Sequence, residues 1–173
     1  APRHVVGTAK IRLVVGKKAY ATSLQLVYID DTPGANAYEA DVFRLTNKAR
    51  SAARTCGSRR MAKVPALTWN TVLATAARGH SSDMANHNLF SHDSSDGTSF
   101  DVRITQAGYA WRSVGENIAA GYPTAATVVA GWLKSPGHCE NIMSADVTEL
   151  GVGYVVGGHY GTYWTQDFAR PAR

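Results

Sequence analysis

The spacing of apolar residues changes along this chain, and each change limits what the segment can fold into. Residues 4–29 hold two runs rich in β-branched and aromatic side chains, Ile11-Arg12-Leu13-Val14-Val15 and Leu24-Gln25-Leu26-Val27-Tyr28-Ile29. Gly16-Lys17-Lys18 between them reads as a turn, so two strands are expected. Asp30-Asp31-Thr32-Pro33-Gly34 breaks that pattern as a linker. From Tyr38 the period lengthens. Val42, Leu45, Ala49 and Ala52 recur at helical spacing, predicting a helix that ends before Cys56-Gly57. Pro65 and Thr68 precede a second helix, with Trp69, Leu73, Ala76, Ala77, His80 and Met84 close to one stripe. His80 on that stripe reads as a packed, hydrogen-bonded core histidine. Phe100–Ile104 opens a short helix that Gly108 ends, and a further helix runs from Ala125 to Leu133 between Pro123 and Pro136. Glycine and apolar residues then alternate through Leu150–Val156 and Tyr160–Phe168. Gly157-Gly158-His159 lies between them, which predicts a β-hairpin with His159 exposed in its turn.

A chain of 173 residues is long enough to bury a real core, and 45% apolar with 18% charged residues is the composition of a soluble globular protein. No run approaches the roughly 18 apolar residues of a membrane-spanning helix. The start at Ala1-Pro2-Arg3 reads as a mature end left after removal of a signal peptide. The net charge of +5 is unevenly placed: residues 1–29 hold Arg3, Lys10, Arg12, Lys17 and Lys18 and no Asp or Glu. Such a segment is either a strand edge guarded by Lys and Arg or an attachment to an anionic surface. No aromatic-rich motif accompanies the charge, so nucleic acid is not expected as a partner.

Three short segments concentrate the chemistry: Ser91-His92, Gly115-Glu116-Asn117 and Ser135-Pro136-Gly137-His138-Cys139-Glu140-Asn141. Their Gly, Ser, Asn and Pro content marks loops and element ends. His92, Glu116 and His138 lie far apart in sequence. Two imidazoles and a carboxylate converging on one cleft could hold a divalent metal or do acid/base work, and these three are the candidates for either role. His80, His87 and His92 do not have the i, i+4 spacing of two ligands on one helical face, and HExxH is absent. Cys56 and Cys139 fit no CxxC motif. They read as one disulfide in an exported protein, or else Cys139 beside His138 is a reactive thiolate.

The segments Leu45-Thr-Asn47 with Arg50, Leu67-Thr-Trp69, His80-Ser-Ser-Asp-Met84, Phe90-Ser-His92, Gly115-Glu-Asn-Ile118, Trp132-Leu-Lys-Ser-Pro-Gly-His138, Asn141-Ile142, Gly151-Val-Gly153 and Tyr163-Trp-Thr-Gln-Asp-Phe168 occur in this order. Their order and spacing make the chain resemble a bacterial member of the CAP superfamily (cysteine-rich secretory proteins, antigen 5 and pathogenesis-related 1), of the SCP-like extracellular branch. The resemblance covers residues 38–173 as one CAP-type domain and leaves residues 1–37 as a basic, strand-rich extension. It implies an α+β fold, a three-layer α-β-α sandwich, and a secreted, extracellular or cell-surface protein.

It also implies a central cleft with two His and two acidic residues. Carried onto this sequence, the cleft holds His92, His138 and Glu116. The second acidic position, three residues beyond Trp132, is Ser135 here. Asp93, Asp96 and Glu140 are the candidates to compensate. Two His and one carboxylate can bind zinc or a similar ion with a position open for water. The missing carboxylate removes the obvious general base, and no Gly-x-Ser-x-Gly elbow is present. The expectation is therefore a non-enzymatic module, a monomer, that binds a lipid or sterol, a cell-wall polymer or a protein. Metal- or Ser/His-assisted hydrolysis in the same cleft is the alternative.

Overall fold

The computed structural model describes residues 8–15, 18–25 and 32–172. The chain divides into two compact units, residues 1–31 and residues 32–173. In the first, β1 (Thr8–Val15) and β2 (Lys18–Gln25) form an antiparallel hairpin in which Val15 pairs with Lys18. The second strand thus starts earlier than the Leu24–Ile29 run suggests. Tyr20 and Thr22 supply strand-forming residues ahead of that run, and residues 26–29 lie outside the described residues.

The second unit contains α1 (Ala37–Arg50), the small hairpin β3 (Arg54–Cys56) and β4 (Arg59–Met61), β5 (Thr68–Trp69), α2 (Thr71–His87), α3 (Phe100–Gln106), β6 (Trp111–Ala120), α4 (Ala125–Lys134), α5 (Pro136–Ile142), β7 (Glu149–Gly157) and β8 (Gly161–Pro171). Helix starts follow capping chemistry. Asn36 accepts from the Tyr38 and Glu39 backbone N–H groups while Glu39 accepts from the Asn36 N–H, a full capping box. The Asn70 side chain likewise accepts from the Val72 and Leu73 N–H groups at the start of α2, and α2 ends on Asn88 in the left-handed conformation with φ 50°.

Four strands form one sheet in the order β5-β7-β8-β6, with β5 parallel to β7 and the other pairs antiparallel. Side chains alternate between its faces. Gly151 and Gly153 let α2 lie directly on β7: a Cβ at Gly151 would fall 2.1 Å from the Ala74 nitrogen, and one at Gly153 2.3 Å from the Ala77 carbonyl carbon. The other face packs Val152, Trp164 and Phe168 with residues of α1, α4 and α5. This is the expected three-layer sandwich. Arg50 is buried and ties α1 to distant parts of the chain, donating to the carbonyls of Pro65, Ile142 and Ser144. Burial lowers its pKa to about 10, so it stays charged near neutrality.

Two local expectations are corrected. Gly115-Glu116-Asn117 is not a loop but the middle of the ten-residue strand β6. The Glu116 and Asn117 side chains are tolerated there because each finds buried partners. Residues 136–142 are not a loop but the short helix α5, which starts at Pro136, a residue preorganised for the first helical position.

Candidate functional site

Strand β6 is the edge strand on which the site is built. Glu116 points from it toward α2 and α3, and the Glu116 side chain is fully buried. Its Oε1 accepts from His92 Nδ1 at 2.7 Å, and its Oε2 accepts from Arg103 Nη2 at 2.6 Å. A carboxylate so placed requires the His92 proton on Nδ1. The Nε2 lone pair is then left on a side chain that is half exposed, at 49%. Arg103 also donates to the His92 carbonyl, Ser94 Oγ and the Thr98 carbonyl, so one guanidinium fixes both the carboxylate and the loop that carries His92.

His138 reaches the same region from α5, which side chains and a disulfide hold in place. Asn117 Nδ2 donates to the His138 carbonyl at 3.2 Å. Asn141 Nδ2 donates to the Glu116 carbonyl at 3.1 Å and to Asn117 Oδ1 at 2.9 Å. The Cys56–Cys139 disulfide joins the helix to the β3–β4 hairpin, with 5.5 Å between Cα atoms. That bond removes Cys139 as a thiolate. Burial lowers the His138 pKa, and the nearby His92 lowers it further. His92 is therefore close enough to oppose the charging of His138.

Beneath them lies a group that no motif of the sequence singles out. Asp167 on β8 faces Glu116 across the strand pair and is fully buried. Burial and the Glu116 charge raise its pKa well above the ordinary carboxylate range, with Arg103 opposing. Neither Asp167 oxygen meets a donor in good hydrogen-bond geometry, so its approach to Glu116 is a loose carboxyl–carboxylate contact. His80, on α2, is buried as expected. Its Nε2 donates to the Ser91 carbonyl at 2.9 Å and lies 4.0 Å from Glu116 Oε2. Burial lowers the His80 pKa, with the Glu116 charge pulling the other way.

The candidates to replace the missing second acid do not do so. Glu140 pairs with Arg59 at the surface, and Asp96 caps the Thr98 backbone N–H. Asp93 is exposed. The one available signal for Asp167 was its place in the Tyr163–Phe168 segment; only the β6–β8 register puts it opposite Glu116. Among the described residues, no set of three or more His, Cys, Asp or Glu side chains is arranged to hold a metal ion. The donor set offers two imidazoles, with both oxygens of Glu116 already engaged by His92 and Arg103.

A model of the CAP, or cysteine-rich secretory protein, family matches residues 43–168. The chain belongs to this family. It is 35% identical over 153 residues to YkwD, an uncharacterised protein of Bacillus subtilis (strain 168); the match covers 87% of the chain and 54% of YkwD. The chain thus spans about half the length of that relative. Among solved structures, an extracellular protein containing a SCP domain from Bacillus anthracis str. Ames superposes with a TM-score of 0.65 at 25% identity, covering 93% of this chain and 67% of that one. An outer surface protein of Borrelia burgdorferi superposes with a TM-score of 0.61 at 18% identity, covering 78% of this chain and 90% of that one, a likeness of fold. Among the described residues of this CAP-family chain, no helix is long and apolar enough to cross a membrane.

Proposed function

We propose that this is an exported CAP module that acts by binding, with His92 and His138 as its contact groups and Glu116 as their anchor. The disulfide supports export, because such bonds persist in oxidising compartments. The extracellular SCP-domain neighbour and the outer surface protein support the same placement. The observation that carries the binding role is the geometry of His92. A fully buried carboxylate, itself clamped by Arg103, holds the ring through Nδ1 and leaves Nε2 for a ligand on a half-exposed side chain.

That is the carboxylate–histidine arrangement of divalent-metal sites. In this reading His92, Glu116 and His138 form the metal-capable unit: the two imidazoles ligate and Glu116 orients His92. A bound zinc-like ion would supply a Lewis-acidic position for a ligand oxygen. Lipid, cell-wall and protein ligands are the classes to screen.

Calorimetric titration of Zn²⁺ into metal-stripped protein, beside the His92→Ala/His138→Ala variant, tests the reading. One-to-one binding lost in the variant supports it. Binding that survives the variant, or no binding, refutes the metal unit. A hydrolase working through this cleft would instead lose turnover by orders of magnitude in folded His138→Ala.

A further inference from the structure

Residues 44–63 hold seven Lys and Arg side chains and no Asp or Glu. The fold gathers these charges around the C-terminal end of α1. The β3–β4 hairpin is anchored there at both legs: Arg54 Nη2 donates to the Ala49 carbonyl, and the Val64 N–H donates to the Arg50 carbonyl, each at 3.0 Å. Lys48 stands in the last turn of α1, and Lys63 immediately precedes Val64. Across the hairpin Cys56 pairs with Arg59 and Thr55 with Arg60. Cys56 and Arg59 reach Cys139 and Glu140 of α5, so Arg60 belongs to the opposite, outer face. The disulfide pins the hairpin, as does the close fit of Gly57 on Pro136, where a Cβ would lie 3.0 Å from the proline ring.

Four of the seven cations have structural duties. Arg44 pairs with Asp41, Arg59 pairs with Glu140, and Arg50 and Arg54 donate to backbone carbonyls. Lys48, Arg60 and Lys63 are exposed, and among the described residues no carboxylate pairs with them. Lys48 complements the negative end of the α1 dipole; Arg60 and Lys63 lie beyond the helix and have no such role. We propose that the β3–β4 hairpin and the end of α1 bind a linear polymer of repeated phosphate groups, such as an exported protein meets in a cell envelope. Lys suits phosphate as a point charge and Arg as a planar fork. Residues 44–63 contain no aromatic side chain. Stacking of nucleic-acid bases and insertion at a membrane interface both call for aromatic or large apolar groups, so the charge pattern favours a bare polymer over either. This surface shares with the function proposed above only the export of the chain.

The probe is linear inorganic polyphosphate of uniform length, titrated calorimetrically into the full chain at several salt concentrations. Lys48→Gln/Arg60→Gln/Lys63→Gln removes three charges from exposed positions. Arg3→Gln/Lys17→Gln/Lys18→Gln removes the same charge from the N-terminal segment and controls for net charge. The hairpin variant should bind about a hundredfold more weakly, from about fivefold per cation, and its slope of log affinity against log salt should fall by about 2. The control should lose far less. Zn²⁺ titration of the hairpin variant should match that of the parent, which keeps a failure of the cleft reading distinct from a failure here. Absence of polyphosphate binding, equal losses in the two triple variants, or tighter binding per phosphate to phosphatidylglycerol vesicles or duplex DNA would each overturn the proposal.

Discussion

Replacing Glu116 by Gln tests whether the buried acid pair holds one charge or two. The carboxylate accepts two charge-assisted hydrogen bonds, at 2.7 Å from His92 and 2.6 Å from Arg103. Such bonds contribute on the order of 1.5–3 kcal/mol each, and removing one partner of a buried ion pair costs about 3–5 kcal/mol. Asp167 should reduce that loss. Burial and the Glu116 charge favour its protonated form; with Glu116 uncharged it is freer to ionise and pair with Arg103. We therefore expect Glu116→Gln to cost about 2 kcal/mol, below the usual figure for a broken buried pair. Asp167→Asn removes a buried carboxyl that must take up a proton on folding at neutral pH, so at pH 7 the variant should be at least as stable as the parent. The double variant leaves Arg103 without any carboxylate and should lose about 4 kcal/mol, an interaction energy of about 1.5 kcal/mol or more. Urea unfolding at pH 7 with an unchanged m-value gives all three numbers. Additive losses, or Asp167→Asn costing as much as Glu116→Gln, would show that Asp167 is charged in the folded protein and refute the reasoning.

The same carboxyl makes a pH prediction. A folded pKa above the unfolded value means its stability contribution is full below about pH 4 and declines as pH rises toward the folded pKa; Asp167→Asn should remove that decline in a series of urea midpoints, and a parallel decline in the variant would count against it. Reducing the Cys56–Cys139 bond, or Cys56→Ser/Cys139→Ser, reopens a loop of 83 residues and should cost about 4 kcal/mol in denaturant midpoint analysis. Gly151→Ala places a Cβ 2.1 Å from the Ala74 backbone and should lower the thermal midpoint sharply, whereas Gly79→Ala, with open space around its Cβ, should stabilise α2 by about 1 kcal/mol; equal effects at the two sites would contradict the packing described.

Periodic segments were legible and isolated polar ones were not. The helices α1 and α2 follow from apolar spacing, α4 from the prolines that bound it, and the β7–β8 hairpin from its alternation around Gly157-Gly158. Strand β6 was hidden because its centre, Gly115-Glu116-Asn117, has the composition of a turn. What makes it a strand is tertiary: Asn117 finds Gln166 and Asn141, and Glu116 finds His92 and Arg103. The site divides along the same line. His92, Glu116 and His138 were recognisable as isolated ionisable residues in polar segments. Arg103 reads in sequence as one residue of a short amphipathic helix, and Asp167 as one residue of a hairpin strand. Their roles depend on the docking of α3 and on the β6–β8 register, neither of which local sequence encodes.

An edge strand ordinarily invites another strand to pair with it. The carbonyl of Ile118 accepts from Trp132 Nε1 at 3.0 Å, and that of Glu116 accepts from Asn141 Nδ2 at 3.1 Å. Helices α4 and α5 thereby take up, with side chains, the backbone groups that a pairing peptide would need. A ligand at this edge must be recognised through side chains, and the side chains offered are those of His92 and His138. The contacts that cap the edge also place α5, since Asn141 sits three residues beyond His138 and the Asn117 amide holds the His138 carbonyl. Closing the edge and positioning the second imidazole are thus one structural act. A substitution at Asn141 should loosen both together, whereas one at Arg103 should disturb His92 and Glu116 and leave α5 in place.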